Sequence, residues 1–380
     1  MTSIKPQSLP ETCRALVCVG PNEPLEVQTI LTPDAVAGSV VVRVITSLVE
    51  PGTKRILSGS MPYLWFPTPI VPGARAIARV AATGPDTTSL PIGQLVLLDP
   101  FVRGRDNPDV QFLWGAGVFG GNPAAHALME GSWRNGMYAE YTRAPLENCY
   151  ALNEAILTGS PSDGGLGYSV AELTFLARHL VAYGGFRGID LKAGETVIVA
   201  PATGIYSGAA VEVASAMGAR VIAASRNLTV LNKLAAVHPR VHVVQLKDDV
   251  KEDLAALKKF GTIDAYMDIS PPTANDSTHI RSCIMAVKQY GRVSLMGVIM
   301  KDIAIPYAVA VSNNLTIRGQ YMYEREDVWG LIKLAEAGLL KLGKAAGHEI
   351  VAKFGLEDHE KALTIAEQNA EAGKMVLLAM

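Results

Sequence analysis

Residues 192–227 read Lys-Ala-Gly-Glu-Thr-Val-Ile-Val-Ala-Pro-Ala-Thr-Gly-Ile-Tyr-Ser-Gly-Ala-Ala-Val-Glu-Val-Ala-Ser-Ala-Met-Gly-Ala-Arg-Val-Ile-Ala-Ala-Ser-Arg-Asn. An apolar β-rich run (Thr196–Ala200) enters a turn of small residues. A helical pattern follows over Gly208–Met217, and a second β-rich run (Arg220–Ala224) closes the unit. A strand–turn–helix–strand unit of this kind builds a site for the pyrophosphate of a dinucleotide. It predicts an α/β fold around a nicotinamide cofactor.

Within the turn, the G-x-G-x-x-G positions are held by Ala202, Gly204 and Ser207, with Gly208 next. All are small enough for tight packing, and the order of elements carries the inference more than the degenerate glycines do. Ala202, Thr203, Gly204, Tyr206 and Ser207 are the expected phosphate-turn residues. The backbone N–H groups over Gly204–Gly208 are expected to face the pyrophosphate, assisted by the helix dipole. About twenty residues beyond the turn, an NAD site carries Asp or Glu for the ribose 2′-OH. Here the sequence is Ser225-Arg226-Asn227, with Lys233 further on. A carboxylate repels a 2′-phosphate, whereas an arginine pairs with it, so the expected cofactor is NADPH.

Outward from this unit the two sides differ. Towards the C-terminus, strand patterns at Val241–Gln245, Ile263–Ile269, Arg292–Val298 and Leu315–Tyr321 alternate with helical ones. With the two opening strands they make six, enough for a doubly wound parallel sheet. The last part offers helices at Asp327–Ala337 and Leu356–Ala370 and strands at Glu349–Lys353 and Lys374–Ala379. Towards the N-terminus, short β-type runs (Ala15–Val19, Ser39–Ile45, Ala76–Ala81, Leu95–Leu98, Met137–Thr142) are separated by turn formers. That texture predicts an irregular β-barrel-like domain. Phe101–Ser132 reads as a long loop excursion or lid, and Tyr168–Tyr183 as a helix leading into the dinucleotide unit. Residues 1–10 are polar, carry two prolines and read as an arm.

The chain has 380 residues and a formal net charge of −2, so nothing attracts it to nucleic acid or an anionic membrane. No apolar run reaches the roughly 20 residues that span a bilayer, and the start has no hydrophobic signal core. The expected location is cytoplasmic. Cys13, Cys18, Cys149 and Cys283 are too scattered for a disulfide framework, and Cys13/Cys18 lack zinc-knuckle spacing.

Three further stretches carry a resemblance: Glu50-Pro51-Gly52-Thr53-Lys54-Arg55-Ile56-Leu57-Ser58-Gly59, Pro72-Gly73-Ala74-Arg75-Ala76-Ile77-Ala78-Arg79-Val80 and Ala202–Val211. In order and spacing they resemble the medium-chain dehydrogenase/reductase superfamily, and most of all its zinc-free quinone-oxidoreductase and enoyl-reductase branches. The resemblance implies a chaperonin-10-like N-terminal catalytic domain (1–158 plus 325–380) and a Rossmann domain (159–324). It places Ser270 where the cofactor crosses, Gly297 and Val298 against the nicotinamide, and the sixth strand at the edge of a homodimer. Zinc enzymes of the superfamily have a cysteine where this chain has Glu50, and Gly-His-Glu where it has Gly73-Ala74-Arg75. A catalytic zinc needs about three N, S or O ligands and an open position, so no metal is expected. His126 stands alone in the Phe101–Ser132 stretch and reads as a loop histidine.

With no Lewis acid, another group must stabilise the charge left by hydride transfer. Glu50 and Arg75 are expected to face each other in a salt bridge. Glu50 or Lys54 is the alternative participant in proton delivery, and Tyr63 is a possible phenolic donor. Tyr63, Trp65, Phe66, Phe101, Phe112, Trp114, Phe119 and Trp133 point either to an apolar small-molecule substrate or to core packing. The expected activity is NADPH-dependent reduction of a conjugated C=C or a quinone. The alternatives are a zinc-free ketoreductase or alcohol dehydrogenase, and a non-catalytic NADPH-binding protein.

Overall fold

The computed structural model describes residues 9–380, so all but the end of the N-terminal arm lies outside the described residues. The chain divides into two compact units. One comprises the chain up to Ala177, with Ile350–Asn369 and Met375–Met380. The other comprises Arg178–Glu349 and Ala370–Lys374. These boundaries differ from the expected ones at 158/159 and 324/325. Residues 159–177 group with the first unit. The helix Arg325–Glu336 belongs to the second, where it buries Val328, Leu331 and Ile332.

The first unit is built on the strand Ser39–Val49, whose β-branched run is nearly all buried. It pairs antiparallel with Ala76–Thr83, Tyr141–Pro145 and Lys374–Ala379, and bulges interrupt the first pairing. Leu95–Leu98 and Cys149–Ala151 continue the sheet on one side, and Glu349–Phe354 on the other. The C-terminal strands therefore complete this sheet rather than extending the parallel one.

Two expectations for this unit are corrected. The Phe101–Ser132 stretch is not a bare loop. It forms a hairpin (Phe101–Arg103 with Gln111–Leu113), a short strand (Val118–Phe119) paired with Leu64–Trp65, and the helix Pro123–Gly131. Phe112 and Trp114 anchor it in the same core as Val42, Val44, Ala78 and Val96. Asn122 caps the helix by accepting from the Ala124 and Ala125 N–H groups. The second correction shifts the expected Met137–Thr142 strand to Tyr141–Pro145, because Gly136–Tyr138 bond to the Val71–Gly73 backbone instead.

The second unit holds six strands: β1 (Thr196–Ala200), β2 (Arg220–Ser225), β3 (Val241–Gln245), β4 (Ala265–Asp268), β5 (Arg292–Leu295) and β6 (Thr316–Gly319). Their order is β3-β2-β1-β4-β5-β6, all parallel. Central β1 is buried along its whole length, which its continuous apolar run requires. Helices α1 (Ile205–Ala216), α2 (Leu228–Val237), α3 (Val250–Lys258) and α4 (His279–Ala286) connect the strands. The expected Tyr168–Tyr183 helix becomes a 3-10 turn (Glu172–Phe175) running into the helix Leu176–Gly188. Among the described residues no helix is long and apolar enough to cross a membrane.

Candidate functional site: a dinucleotide cradle and a carboxylate–guanidinium pair

In the second unit, β1 passes through Pro201 into the turn that starts α1. The Ala202 N–H bonds the Ala224 carbonyl at 3.0 Å, holding the turn against the end of β2. Gly204 is the residue before the helix, and its N–H donates to Ser207 Oγ at 2.9 Å. The Gly208 N–H donates to the Gly204 carbonyl at 2.8 Å. Two of the amides expected to face a pyrophosphate are thus engaged within the turn. The anion-facing set narrows to the first turn of α1, where no i−4 carbonyl exists. Gly208 has a second reason to be glycine. A Cβ there would lie 2.4 Å from Ala372 Cβ, and the Ala372 N–H donates to the Thr203 carbonyl at 3.0 Å. The 370–374 segment thus braces the turn, a contact that sequence spacing does not reveal.

At the end of β2, Ser225 is buried and its hydroxyl lies 2.9 Å from Thr203 Oγ1. Arg226 follows, 72% exposed, with Nη1 3.6 Å from Asp248 Oδ2. Asn227 caps α2 by accepting from the Val230 N–H. Lys233 does not join this group. It lines a cavity of about 140 Å³ with Glu212, Glu349, Glu371 and the 346–347 and 372–374 backbone. At the far end of the sheet, the Val298 N–H donates to the Ser270 carbonyl at 2.8 Å. Gly297 packs so tightly on the end of β4 that a Cβ would lie 2.6 Å from Asp268 Oδ2.

Sequence reasoning missed two buried clusters here. Asp268, Ser270 and His279 form one, at 2–3% exposure. The other is His179, Glu212 and His348, which among the described residues is the group of three side chains able to converge on a metal. His179 Nε2 lies 2.6 Å and His348 Nε2 2.8 Å from Glu212 Oε2. Burial pushes the Glu212 carboxyl up, but the electrostatics and hydrogen bonds of His348 and His179 outweigh it. They hold the group below the usual carboxylate range. The Gly343 N–H donates to His348 Nδ1, which leaves Nε2 to carry the proton that faces Glu212. A metal ion would need that Nε2 lone pair, so the group is a hydrogen-bonded bridge. No local spacing could signal it, because the residues are 33 and 136 positions apart.

In the first unit, Arg75 Nη1 donates to Glu50 Oε1 at 3.1 Å, with side chains only 7% and 17% exposed. The two residues face each other as expected. Beneath them the buried Tyr138 donates its hydroxyl to the Leu48 carbonyl at 3.0 Å. Burial, and then the Glu50 charge, push its phenol far up, so it stays protonated. Gly73 (φ +102°) allows this: a Cβ there would lie 2.5 Å from the Tyr138 ring. Lys54 Nζ is held by the Thr364 hydroxyl at 2.8 Å. Tyr63 is half-buried and stacks on Phe119, with centroids 5.7 Å apart. His126 lies on a helix rather than in a loop and stacks on Trp65 at 4.0 Å. Phe66, Phe101, Phe112 and Trp114 are core, so Tyr63, Trp65, Phe119 and the partly buried Trp133 remain as accessible aromatic surface.

The family described as "Alcohol dehydrogenase GroES-like domain" matches residues 36–154, and that described as "Zinc-binding dehydrogenase" matches residues 207–337. A curated relative, the L-threonine 3-dehydrogenase of Anaeromyxobacter sp. (strain Fw109-5), is 23% identical over 255 residues, 66% of this chain and 67% of that protein. Two solved structures share the fold. An E. coli CFT073 alcohol dehydrogenase complexed with NADH has TM-score 0.76 and 18% identity, covering 98% of this chain and 100% of that one. A crotonyl-CoA carboxylase/reductase has TM-score 0.77 and 14% identity, covering 98% and 89%. The chain belongs to the medium-chain dehydrogenase/reductase superfamily and is an oxidoreductase of that kind. The zinc for which the second family is described does not fit the residues at Glu50. A single carboxylate is present there, already bonded to a guanidinium that repels a dication.

Proposed function

We propose that this chain is an NADPH-dependent reductase that works without zinc and delivers hydride to a conjugated C=C bond or quinone of an apolar small molecule. The observation that carries this reading is the Glu50–Arg75 pair, which satisfies the carboxylate with a guanidinium instead of a metal. Bound at the turn, the nicotinamide cofactor supplies the hydride. The α1 start would hold its pyrophosphate, Arg226 its 2′-phosphate, and the Ser270, Gly297 and Val298 backbone its nicotinamide end. Conjugation spreads the charge formed on the acceptor, so a weak acid suffices to complete the reaction. The Tyr63 hydroxyl is the group assigned that proton, and its stacked partner Phe119 offers an apolar wall. Glu50 and Arg75 act as a structural pair in place of metal ligands, and Lys54 is fixed by Thr364.

Incubating an enone with NADPH tests the reading: the saturated ketone is expected, in undiminished yield after chelation. The second reading, carbonyl reduction, is favoured by the dehydrogenase name of the curated relative. It would give the allylic alcohol instead. We also assign a homodimer formed along β6, supported by its place at the sheet edge. The exposed Met300, Ile305, Tyr307 and Val311 precede it in sequence. A cytoplasmic setting accords with four cysteines that are all unpaired with one another and buried.

A further inference from the structure

Glu212 lies on α1 four residues beyond Gly208, so the two share one face of the helix that begins at the phosphate turn. That face meets the 370–374 segment twice. At Gly208 it does so directly, through the close approach of Ala372. At Glu212 it does so through two imidazoles, whose Nε2 atoms lie 2.6 and 2.8 Å from the same carboxylate oxygen. An ionised carboxylate only accepts, so each Nε2 carries a proton whatever the state of the other ring nitrogen. Each histidine adjoins in sequence a residue that grips the segment. Next to His179, Arg178 Nη1 donates to the Lys374 carbonyl at 2.5 Å. Next to His348, the Glu349 N–H donates to the Gly373 carbonyl at 2.8 Å. Packing does not fix the segment by itself, because residues 371–374 border the cavity of about 140 Å³ that Glu212 also lines.

The segment acts on the turn through one peptide group, that between Thr203 and Gly204. Its carbonyl accepts from the Ala372 N–H at 3.0 Å, and its N–H donates to Ser207 Oγ at 2.9 Å. This peptide leads into the residue before α1, and holding its plane at both ends fixes how the chain enters the helix. We propose that Glu212 is a positioning residue for the dinucleotide: through His179 and His348 it holds the 370–374 segment on the Thr203 carbonyl, and so keeps the first-turn amides of α1 aimed at the pyrophosphate. Buried at 3% exposure, Glu212 acts through the segment. The inference rests on the reading of the turn as a dinucleotide cradle and is independent of whether NADPH or NADH is preferred.

The test is the dissociation constant of NADPH and of NADH by calorimetry, in the wild type and in variants shown to be folded by near-ultraviolet circular dichroism. Glu212→Met removes the acceptor and is expected to weaken both nucleotides by the same factor, roughly tenfold, because they share the pyrophosphate. Glu212→Gln retains an oxygen for both imidazoles and should bind each nucleotide within about twofold of the wild type. His348→Phe keeps the volume of the ring but breaks one of the two routes. A loss of roughly three- to fivefold is expected there for both nucleotides, which keeps the proposal open to refutation even where Glu212→Met does not fold. Hydrogen exchange of the Ala372 amide, which reports the grip on Thr203, should quicken in parallel. A folded Glu212→Met or His348→Phe that binds both nucleotides as the wild type does would make the carboxylate merely structural and overturn the proposal. Loss of one nucleotide alone, or failure of Glu212→Gln to rescue binding, overturns it as well. A wild type that binds neither nucleotide defeats the cradle reading beneath it.

Discussion

Thr203 Oγ1 and Ser225 Oγ stand 2.9 Å apart, so the phosphate turn and the end of β2 are joined by a hydrogen bond between side chains. The contact ties a residue of the turn to the one preceding Arg226. The Arg226 guanidinium faces Asp248 at 3.6 Å and stays largely in solvent. It is available to a ligand.

Arg226→Ala is accordingly expected to weaken NADPH by roughly ten- to a hundredfold, the worth of one or two charge-assisted hydrogen bonds, and to leave NADH unchanged. Fluorescence titration with each nucleotide measures it. Arg226→Glu should go further and reverse the preference.

The Glu50–Arg75 pair makes a prediction about stability. Arg75→Met strands a mostly buried carboxylate and should cost about 3–5 kcal/mol. The double variant Glu50→Gln/Arg75→Met removes both charges and should recover most of the loss in denaturant titrations. If the two single losses simply add in the double variant, the pair carries no coupling and the account of it is wrong.

How far the sequence reveals the molecule follows from the range of each interaction. The six strands of the parallel sheet and the β1–α1–β2 unit were legible because periodicity and turn chemistry are local, and Val197–Ala200 has the continuous apolar run of a central parallel strand. The Glu50–Arg75 facing was legible through family spacing alone. The Phe101–Ser132 stretch misled because its strands are two or three residues long, below what alternation can signal, and its order comes from Phe112 and Trp114 entering a distant core. Lys233 misled for a related reason: its place one turn and a half into α2 turns it towards the 346–349 and 371–374 segments, which no local pattern announces. The His279 and Glu212 networks were invisible because their members come from separate helices, strands and loops.

Packing at the turn gives a third prediction. Gly208→Ala places a methyl 2.4 Å from Ala372 Cβ, forcing α1 or the 370–374 segment to move, and should destabilise by about 1–3 kcal/mol despite the better helix propensity of alanine. Gly131→Ala, at the end of the helix Pro123–Gly131 with nothing within 4 Å and no left-handed φ, is the control and should be neutral or mildly stabilising. Thermal unfolding of both, with NADPH affinity for the first, distinguishes a local wedge from general glycine sensitivity.

Acid should find Glu212. Its folded-state carboxyl is held below its unfolded value of about 4.3 by His348 and His179 in spite of burial. A carboxylate depressed in this way contributes stability that is complete above the unfolded pKa and is lost as pH falls towards the folded one. Stability should therefore decline below about pH 5, with this one group adding up to roughly 1.4 kcal/mol per pH unit. Glu212→Gln keeps an acceptor for the two imidazoles but removes the proton-linked part. Its urea-unfolding free energy, followed from pH 6 to pH 3, should fall less steeply than that of the wild type by about one proton's worth. Other depressed carboxylates, such as Glu154 beside Arg79 and Asp264 beside Lys288, remain in both proteins and cancel in the difference. Parallel curves for the two proteins would mean that Glu212 takes up its proton at the same pH folded and unfolded. The bridge to His179 and His348 would then hold no preferentially charged carboxylate.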